Sequence, residues 1–185
     1  MQPALHIVDE RRHDELNFVL TRDVSFVVAK EQDIKGLLTQ FYGDDSASMR
    51  VFLDANILFS AAKSDGAVRT LVRLLVERGH ECWADAYVLA EARRNLQSKG
   101  PQALEVLDAL LPYLRLAAAA PVAAVPADEL LWLPEKDRPV LAAAIRLRCD
   151  VLVTGDRTHF GAGYGRSFGG VTVHSPRSLV EQLFA

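Results

Sequence analysis

A chain of 185 residues, half of them apolar and with mean hydropathy +0.08, suffices for one domain of ordinary size plus an extension. It has no run of about 18 uncharged apolar residues, which excludes a membrane-spanning helix, and the opening MQPALHIVDERRHDE lacks the basic-then-apolar pattern of a secretory signal. The net charge of −3 and pI near 5.9 exclude nucleic-acid binding that rests on bulk positive charge alone.

The charge is unevenly placed. Residues 1–48 hold five Lys/Arg against nine Asp/Glu, a net −4, while residues 49–185 hold sixteen against fifteen, a net +1. Cys82 and Cys149 form no CxxC motif. They read as two buried thiols of a cytoplasmic protein rather than a zinc site.

In chain order, residues 25–29 (SFVVA) suggest a short strand. Residues 31–42 carry Ile34, Leu37, Leu38 and Phe41 at the spacing of one helix face. The small polar run 43–48 reads as a linker. Met49 after it is a possible start codon, so residues 1–48 are expected to be an extension and 49–185 the principal domain. Residues 51–54 form an apolar strand ending in an acid. Residues 66–78 show helical spacing, stopped by Gly79. Residues 82–84 are a second strand candidate, and 86–97 and 101–116 read as helices. Pro121 and Pro126 break the Ala-rich run that follows. Residues 138–148 are helical, with Asp137 as a candidate N-cap and Pro139 in the first turn. Residues 150–154 (DVLVT) read as a buried strand, 155–170 as a glycine-rich loop, 171–174 as a last strand and 176–184 as a closing helix. Strands alternating with helices predict an α/β sandwich on a mainly parallel sheet, whose sites lie at the carboxyl ends of the strands.

Two of the predicted strands run into an acid, Asp54 and Asp156. Neighbouring strands lie about 5 Å apart, so if these two pair, both carboxylates meet at one point. Two such anions repel unless one is protonated or a cation lies between them. A hard divalent cation such as Mg²⁺ or Mn²⁺ suits oxygen ligands of this kind. Glu91, in an otherwise apolar stretch, and Asp137, just ahead of an apolar helix, are further candidates. Four carboxylates around a metal suit phosphodiester hydrolysis. Each acid alone also has a plainer reading: a strand-end Asp as a turn or cap, Asp137 as an N-cap, Glu91 as a solvated helix residue and Asp156-Arg157 as a surface ion pair.

Taken together, the motifs resemble a known family. Residues 51–61, VFLDANILFSA, resemble the opening strand and D-x-N-x-L-x-x-A motif of PIN domains, and 151–156, VLVTGD, resemble their closing V-T-x-D motif. Glu91 in VLAE resembles the family's middle acid, and Asp137 in DRPVLAAA its third, ahead of an Ala-rich helix. The match runs from residue 49 to about residue 175. It implies a PIN-like three-layer α/β/α sandwich with a central, mainly parallel sheet. It implies a Mg²⁺- or Mn²⁺-dependent endoribonuclease, as in the VapC-type toxins of toxin–antitoxin pairs. It further implies an RNA substrate, an antitoxin partner and a homodimer, with no membrane role. Carried over residue by residue, Asp54, Glu91, Asp137 and Asp156 are the catalytic, metal-binding acids, while Asn56 and Thr154 support them.

The chain departs from the small toxins of this family in its first 48 residues, whose acidity, short strand and amphipathic helix somewhat resemble an antitoxin tail; a cap on the sheet edge is the plainer alternative. Residues 157–170, with His159, Phe160, Tyr164, Arg166 and Phe168, are a further departure and could stack and steer single-stranded RNA. Arg94, Arg138 and Arg157, with Arg93 and Lys136, stand beside the acids where a phosphate must pass. Rival readings are a DNA structure-specific nuclease and a non-catalytic PIN-like domain that binds RNA or protein.

Overall fold

The computed structural model describes residues 48–122 and 125–183, with Val19–Leu20 (β1) and Val24–Ser25 (β2), which pair antiparallel. Of the strand expected over 25–29 only Ser25 is described. The rest of it, the helix expected over 31–42 and most of the linker lie outside the described residues.

From Arg50 onward strands and helices alternate. The strand β3 (Arg50–Leu53) is buried beyond its first residue, as its Val-Phe-Leu run demands. Helix α1 (Ala55–Lys63) follows at once and buries Ala55, Ile57, Leu58, Ala61 and Ala62. Helix α2 (Ala67–Glu77) ends where expected, with Gly79 at φ 80° just past its last turn. Strand β4 (Glu81–Asp85) leads into α3 (Ala86–Lys99).

The single helix expected over 101–116 is not formed. A 3-10 turn at Pro101–Ala103 precedes α4 (Leu104–Leu110), and a second at Leu111–Tyr113 closes it. Pro112 explains the stop, because its ring collides with the carbonyl four residues back and it has no N–H to give. Arg115–Ala117 then extends as β5 beside β4.

Helix α5 (Arg138–Arg146) is two residues shorter than expected. Arg148 takes a left-handed φ of 52°, which turns the chain into β6 (Val151–Val153). Residues 155–170 are also more ordered than a loop. They hold α6 (Arg157–Phe160), a 3-10 turn at Gly161–Gly163 and β7 (Ser167–Phe168), which pairs antiparallel with β8 (Val171–His174). Helix α7 (Pro176–Leu183) closes the described chain.

The six-stranded sheet runs β5-β4-β3-β6-β8-β7, and all neighbours except β7 and β8 are parallel. Crossovers from β3 step outward one way to β4 and β5, and the later ones step the other way through β6 to β8. Right-handed crossovers in opposite directions put their helices on opposite faces, giving an α/β sandwich. On one face α1 packs on α2, α3 and α4. Phe52, Leu53, Ile57, Leu58, Leu141 and Leu152 are fully buried at the centre. Each contributes about 1.5–3 kcal/mol on removal from water.

An aromatic cluster shapes the segment after β6. Trp132 stacks on Phe168 at 4.5 Å between ring centroids and meets Phe160 edge-on at 6.1 Å. A Cβ on Gly163 would lie 2.4 Å from the nearest Trp132 ring carbon, and to make way the indole must shift against Phe160 and Phe168. Gly163→Ala is therefore expected to cost about 1–3 kcal/mol, read as a lower midpoint in urea unfolding; an unchanged midpoint would mean the cluster is loosely packed.

Candidate metal centre

Strand order reverses between β3 and β6, where the crossovers change direction. In open α/β sheets this switch point leaves a crevice beyond the carboxyl ends of the strands. The register pairs Leu53 with Val153, so the next residues, Asp54 and Thr154, stand side by side at the mouth of that crevice. The two acid-ended strands are therefore neighbours.

Asp54 is 5 % exposed, yet its carboxylate is well supplied with donors. One oxygen accepts from the backbone N–H of Ala55 at 2.6 Å, capping α1. The other accepts from Asn56 Nδ2 at 2.6 Å and from the Thr154 hydroxyl at 2.6 Å. Asn56 also donates to Thr154 Oγ1 at 3.1 Å, and its carbonyl accepts from Gly155 N at 2.7 Å, tying the first turn of α1 to the end of β6. Burial raises the Asp54 carboxyl from 3.8 to about 6, with the nearby Glu91 charge adding to the rise. The Thr154, Ala55 and Asn56 hydrogen bonds oppose it. A buried carboxylate whose charge remains uncompensated after three donors is a position that a cation would complete.

The other acids approach from three more elements. Glu91, on the second turn of α3, acts electrostatically on both Asp54 and Tyr87. Tyr87 has its hydroxyl raised by burial first and then by the Glu91 and Asp137 charges. That hydroxyl donates to the Lys136 carbonyl at 3.0 Å, pinning the turn that carries Asp137. Tyr164 is raised by burial and then by Asp156 and Asp54, and it donates to the Thr154 carbonyl at 3.0 Å. The Tyr87 hydroxyl is thus within electrostatic reach of Glu91, Asp137 and Asp54, and the Tyr164 hydroxyl within reach of Asp156 and Asp54.

Asp137 corrects one expectation. It stands at the N-cap position of α5, but its side chain caps nothing. Its backbone is already helical at φ −98°, ψ −14°, as the last residue of the 3-10 turn Glu135–Asp137. An N-cap side chain needs an extended backbone to reach the following N–H groups. The carboxylate is free for another use, and its Oδ2 is shielded from solvent with no hydrogen-bond partner.

Asp156 does cap, with Oδ1 accepting from the N–H groups of Thr158 and His159 at the start of α6. Its Oδ2 lies 2.6 Å from His159 Nδ1. Burial alone would raise this carboxyl, but the His159 ring and the two backbone donors outweigh it and hold it below the usual range. His159 Nδ1 is also 3.4 Å from Asp137 Oδ2. Asp137, Asp156 and His159 thus offer ligand atoms within 4.8 Å of one another, a donor set that fits a divalent cation. The sequence offers His159 as a candidate for RNA contact and not as a ligand. The D-x-x-H spacing after a helix cap was the available signal, since i and i+3 share a face.

Asp85, at the end of β4, is a further strand-end acid that sequence reading passed over. It is buried, and its carboxylate accepts from the N–H groups of Tyr87 and Val88, so it serves α3 as a cap. Among the basic candidates, Arg138 spends its Nε on the Leu133 carbonyl, and Arg93 pairs with Asp108. Arg94 and Arg157 are exposed and near enough to act on Tyr87 and Tyr164 respectively. Lys136 is exposed, with its carbonyl taken by Tyr87. Both cysteines are buried and unpaired, and burial pushes each thiol up to about 12. No helix among the described residues is long and apolar enough to cross a membrane.

The family model described as "PIN domain" matches residues 50–158. Three solved structures share the fold at low identity. They are VapBC2 from Rickettsia felis bound to a promoter DNA fragment (19 % identity, TM-score 0.54), DNA-bound VapBC from Salmonella typhimurium (14 %, 0.52) and FitAcB from Neisseria gonorrhoeae (20 %, 0.50). In each case 69 % of this chain is covered against 98 % of the other. No curated protein matches.

Proposed function

Because the chain belongs to the PIN-domain family, we propose that it is a divalent-metal-dependent endoribonuclease of the VapC toxin type. The observation that carries this reading is the buried Asp54 carboxylate, held by three donors at the switch point; Glu91, Asp137 and Asp156 are assigned to the same crevice. Domains that only bind have no need of mutually repelling carboxylates in one crevice.

In this reading residues 49–185 form the nuclease domain and 1–48 an extension, and the four acids hold Mg²⁺ or Mn²⁺. A bound ion of this kind supplies Lewis acidity and a water of lowered pKa. Asn56 and Thr154 fix the Asp54 carboxylate in one orientation, as partners of a metal-binding carboxylate do. Arg94 and Arg157 are exposed on the rim and are assigned to backbone phosphates, while Arg138 acts from one position back by fixing the turn ahead of Asp137. The similar VapBC complexes support a VapB-type antitoxin partner for this chain. A homodimer in the cytoplasm completes the assignment.

The test is cleavage of a mixed set of structured and single-stranded RNAs, with duplex and flap DNAs alongside. Reactions contain Mn²⁺, Mg²⁺ or EDTA, and Asp54→Asn controls for contaminating nuclease. RNA cleavage that needs metal and is lost in Asp54→Asn is expected. Cleavage of flap DNA alone would shift the assignment to a structure-specific DNA nuclease; no cleavage and no metal binding would leave a binding domain. A second expectation concerns stability. Metal at about 100 times its Kd adds about 2.7 kcal/mol to the folded state, so Mn²⁺ should raise the melting temperature by several degrees and EDTA should reverse it. A melting curve indifferent to both would count against the metal centre.

A further inference from the structure

We propose that His159 is a nitrogen ligand of this centre, joining Asp137 and Asp156 and turning its preference from Mg²⁺ toward Mn²⁺ and other transition-metal ions. The proposal rests on the metal-dependent reading above and adds a donor that the four-acid arrangement lacks.

Geometry comes first. His159 Nδ1 lies 2.6 Å from Asp156 Oδ2 and 3.4 Å from Asp137 Oδ2. Adjacent ligand atoms around an ion with bonds of about 2.1 Å stand about 3 Å apart, so these spacings straddle the distance a shared ion imposes. A small adjustment of the ring serves both contacts.

The second observation is the state of Asp137. Its Oδ2 is shielded from solvent and accepts no hydrogen bond, and the imidazole at 3.4 Å is outside hydrogen-bond geometry. A carboxylate oxygen in that state carries a desolvation cost that no hydrogen bond offsets, and the His159 ring at 3.4 Å is the group that faces it. Asp137 is also relieved of the capping duty its position suggests. An ion between Asp137, Asp156 and His159 would satisfy this oxygen.

His159 is held where a ligand must be. Asp156 Oδ1 caps α6 through the N–H groups of Thr158 and His159, so the helix that carries the ring is fixed by the same carboxylate that faces it. Phe160, the next residue, is buried against Trp132 and anchors the helix. An ion bound here would take the place of the Nδ1 proton, so that Nδ1 faces the metal with its lone pair and Nε2 keeps the ring's N–H. Carboxylate and water suit Mg²⁺, whereas an imidazole nitrogen favours the first-row transition ions.

The experiment uses the full chain with Mn²⁺ alone as the probe. Pulsed electron paramagnetic resonance is recorded on protein with natural and with ¹⁵N-labelled histidine. The bound Mn²⁺ should show a nitrogen coupling that changes on labelling and is absent in His159→Gln. Competition between Mn²⁺ and Mg²⁺, followed by calorimetry, should show the Mn²⁺ preference falling about tenfold or more in His159→Gln. His159→Asp, which returns an oxygen ligand at the same place, should recover binding with the preference moved to Mg²⁺; it also guards against a misfolded Gln variant. Mn²⁺ bound without histidine coupling, at an unchanged preference, would overturn the proposal and leave the metal-dependent nuclease standing. Absence of Mn²⁺ binding by the unaltered chain would remove both.

Discussion

Asp54→Asn is expected to lower metal-dependent cleavage at least 100-fold while leaving the metal-free protein as stable as before at neutral pH, or more stable. The activity loss follows from removing the charge of the carboxylate on which the proposed centre is built. The stability result follows from the cost of that charge. Burial raises the Asp54 carboxyl from 3.8 to about 6, so the folded metal-free protein binds this proton more tightly than the unfolded chain does. The group's favourable contribution is complete below about pH 3.8 and is lost as pH rises through about 6. A separation of that size corresponds to about 3 kcal/mol. Asparagine keeps the shape and removes the charge. Its amide NH₂ meets the Asn56 NH₂ group in place of an acceptor, at a cost of about 1 kcal/mol. The net expectation at pH 7.5 in EDTA lies between no change and a gain of about 2 kcal/mol. Urea unfolding at pH 4.5, 6 and 7.5 measures it. The unaltered protein should lose stability across that range, and the variant should lose less. A variant several degrees less stable than the parent at pH 7.5 would show that the carboxylate is comfortable without metal, and would remove the physical reason for placing a cation there.

The same carboxylate shows how far the sequence can be read. An apolar run buried on both faces and ending in an acid appears at residues 51–54 and again at 151–156. Because parallel strands in register bring their ends level, the Asp54–Thr154 contact follows once β3 and β6 are known to be neighbours. The neighbour relation itself comes from the structure, since periodicity says nothing about which strand lies beside which. Asp137 was harder. A helix of apolar residues behind an Asp and a Pro looks like a capped helix, and only the 3-10 turn ahead of it takes the side chain out of capping geometry. Residues 101–116 failed for a local reason that was visible, Pro112, which the helical spacing on either side outweighed. The segment 155–170 failed for a non-local one. Its glycines suggested a loop, but stacking of Trp132 on Phe168 and the Tyr164 bond to Thr154 give it a helix and a strand. Contacts between residues well outside one helical or strand period of each other leave no periodic trace.

Thr154→Val carries the next largest expected effect, and it tests the positioning of Asp54 rather than its charge. The Thr154 side chain is fully buried, and its hydroxyl makes three hydrogen bonds. It donates to Asp54 Oδ2 at 2.6 Å and accepts from Asn56 Nδ2 and from Asp156 N, each at 3.1 Å. Valine fills the same space and makes none of them. Asp54 keeps the Ala55 and Asn56 donors, but Asn56 loses an acceptor and the Asp156 N–H is left without its partner. Unpaired buried groups of this kind cost about 1–3 kcal/mol, so the variant should unfold at lower denaturant. Cleavage should fall about 10- to 100-fold, as when a partner of a metal-binding carboxylate is removed. The pH profile should move as well. The Thr154 hydrogen bond is the largest influence holding the Asp54 carboxyl down against burial. Without it the carboxyl rises further above its usual range, and the acid limb of activity shifts to higher pH. Thr154→Ser restores the hydroxyl without the methyl group and should recover the limb and most of the rate. A valine variant within twofold of the parent, with an unmoved acid limb, would mean that Asn56 and the helix cap alone orient Asp54, and that Thr154 serves only to fill the strand.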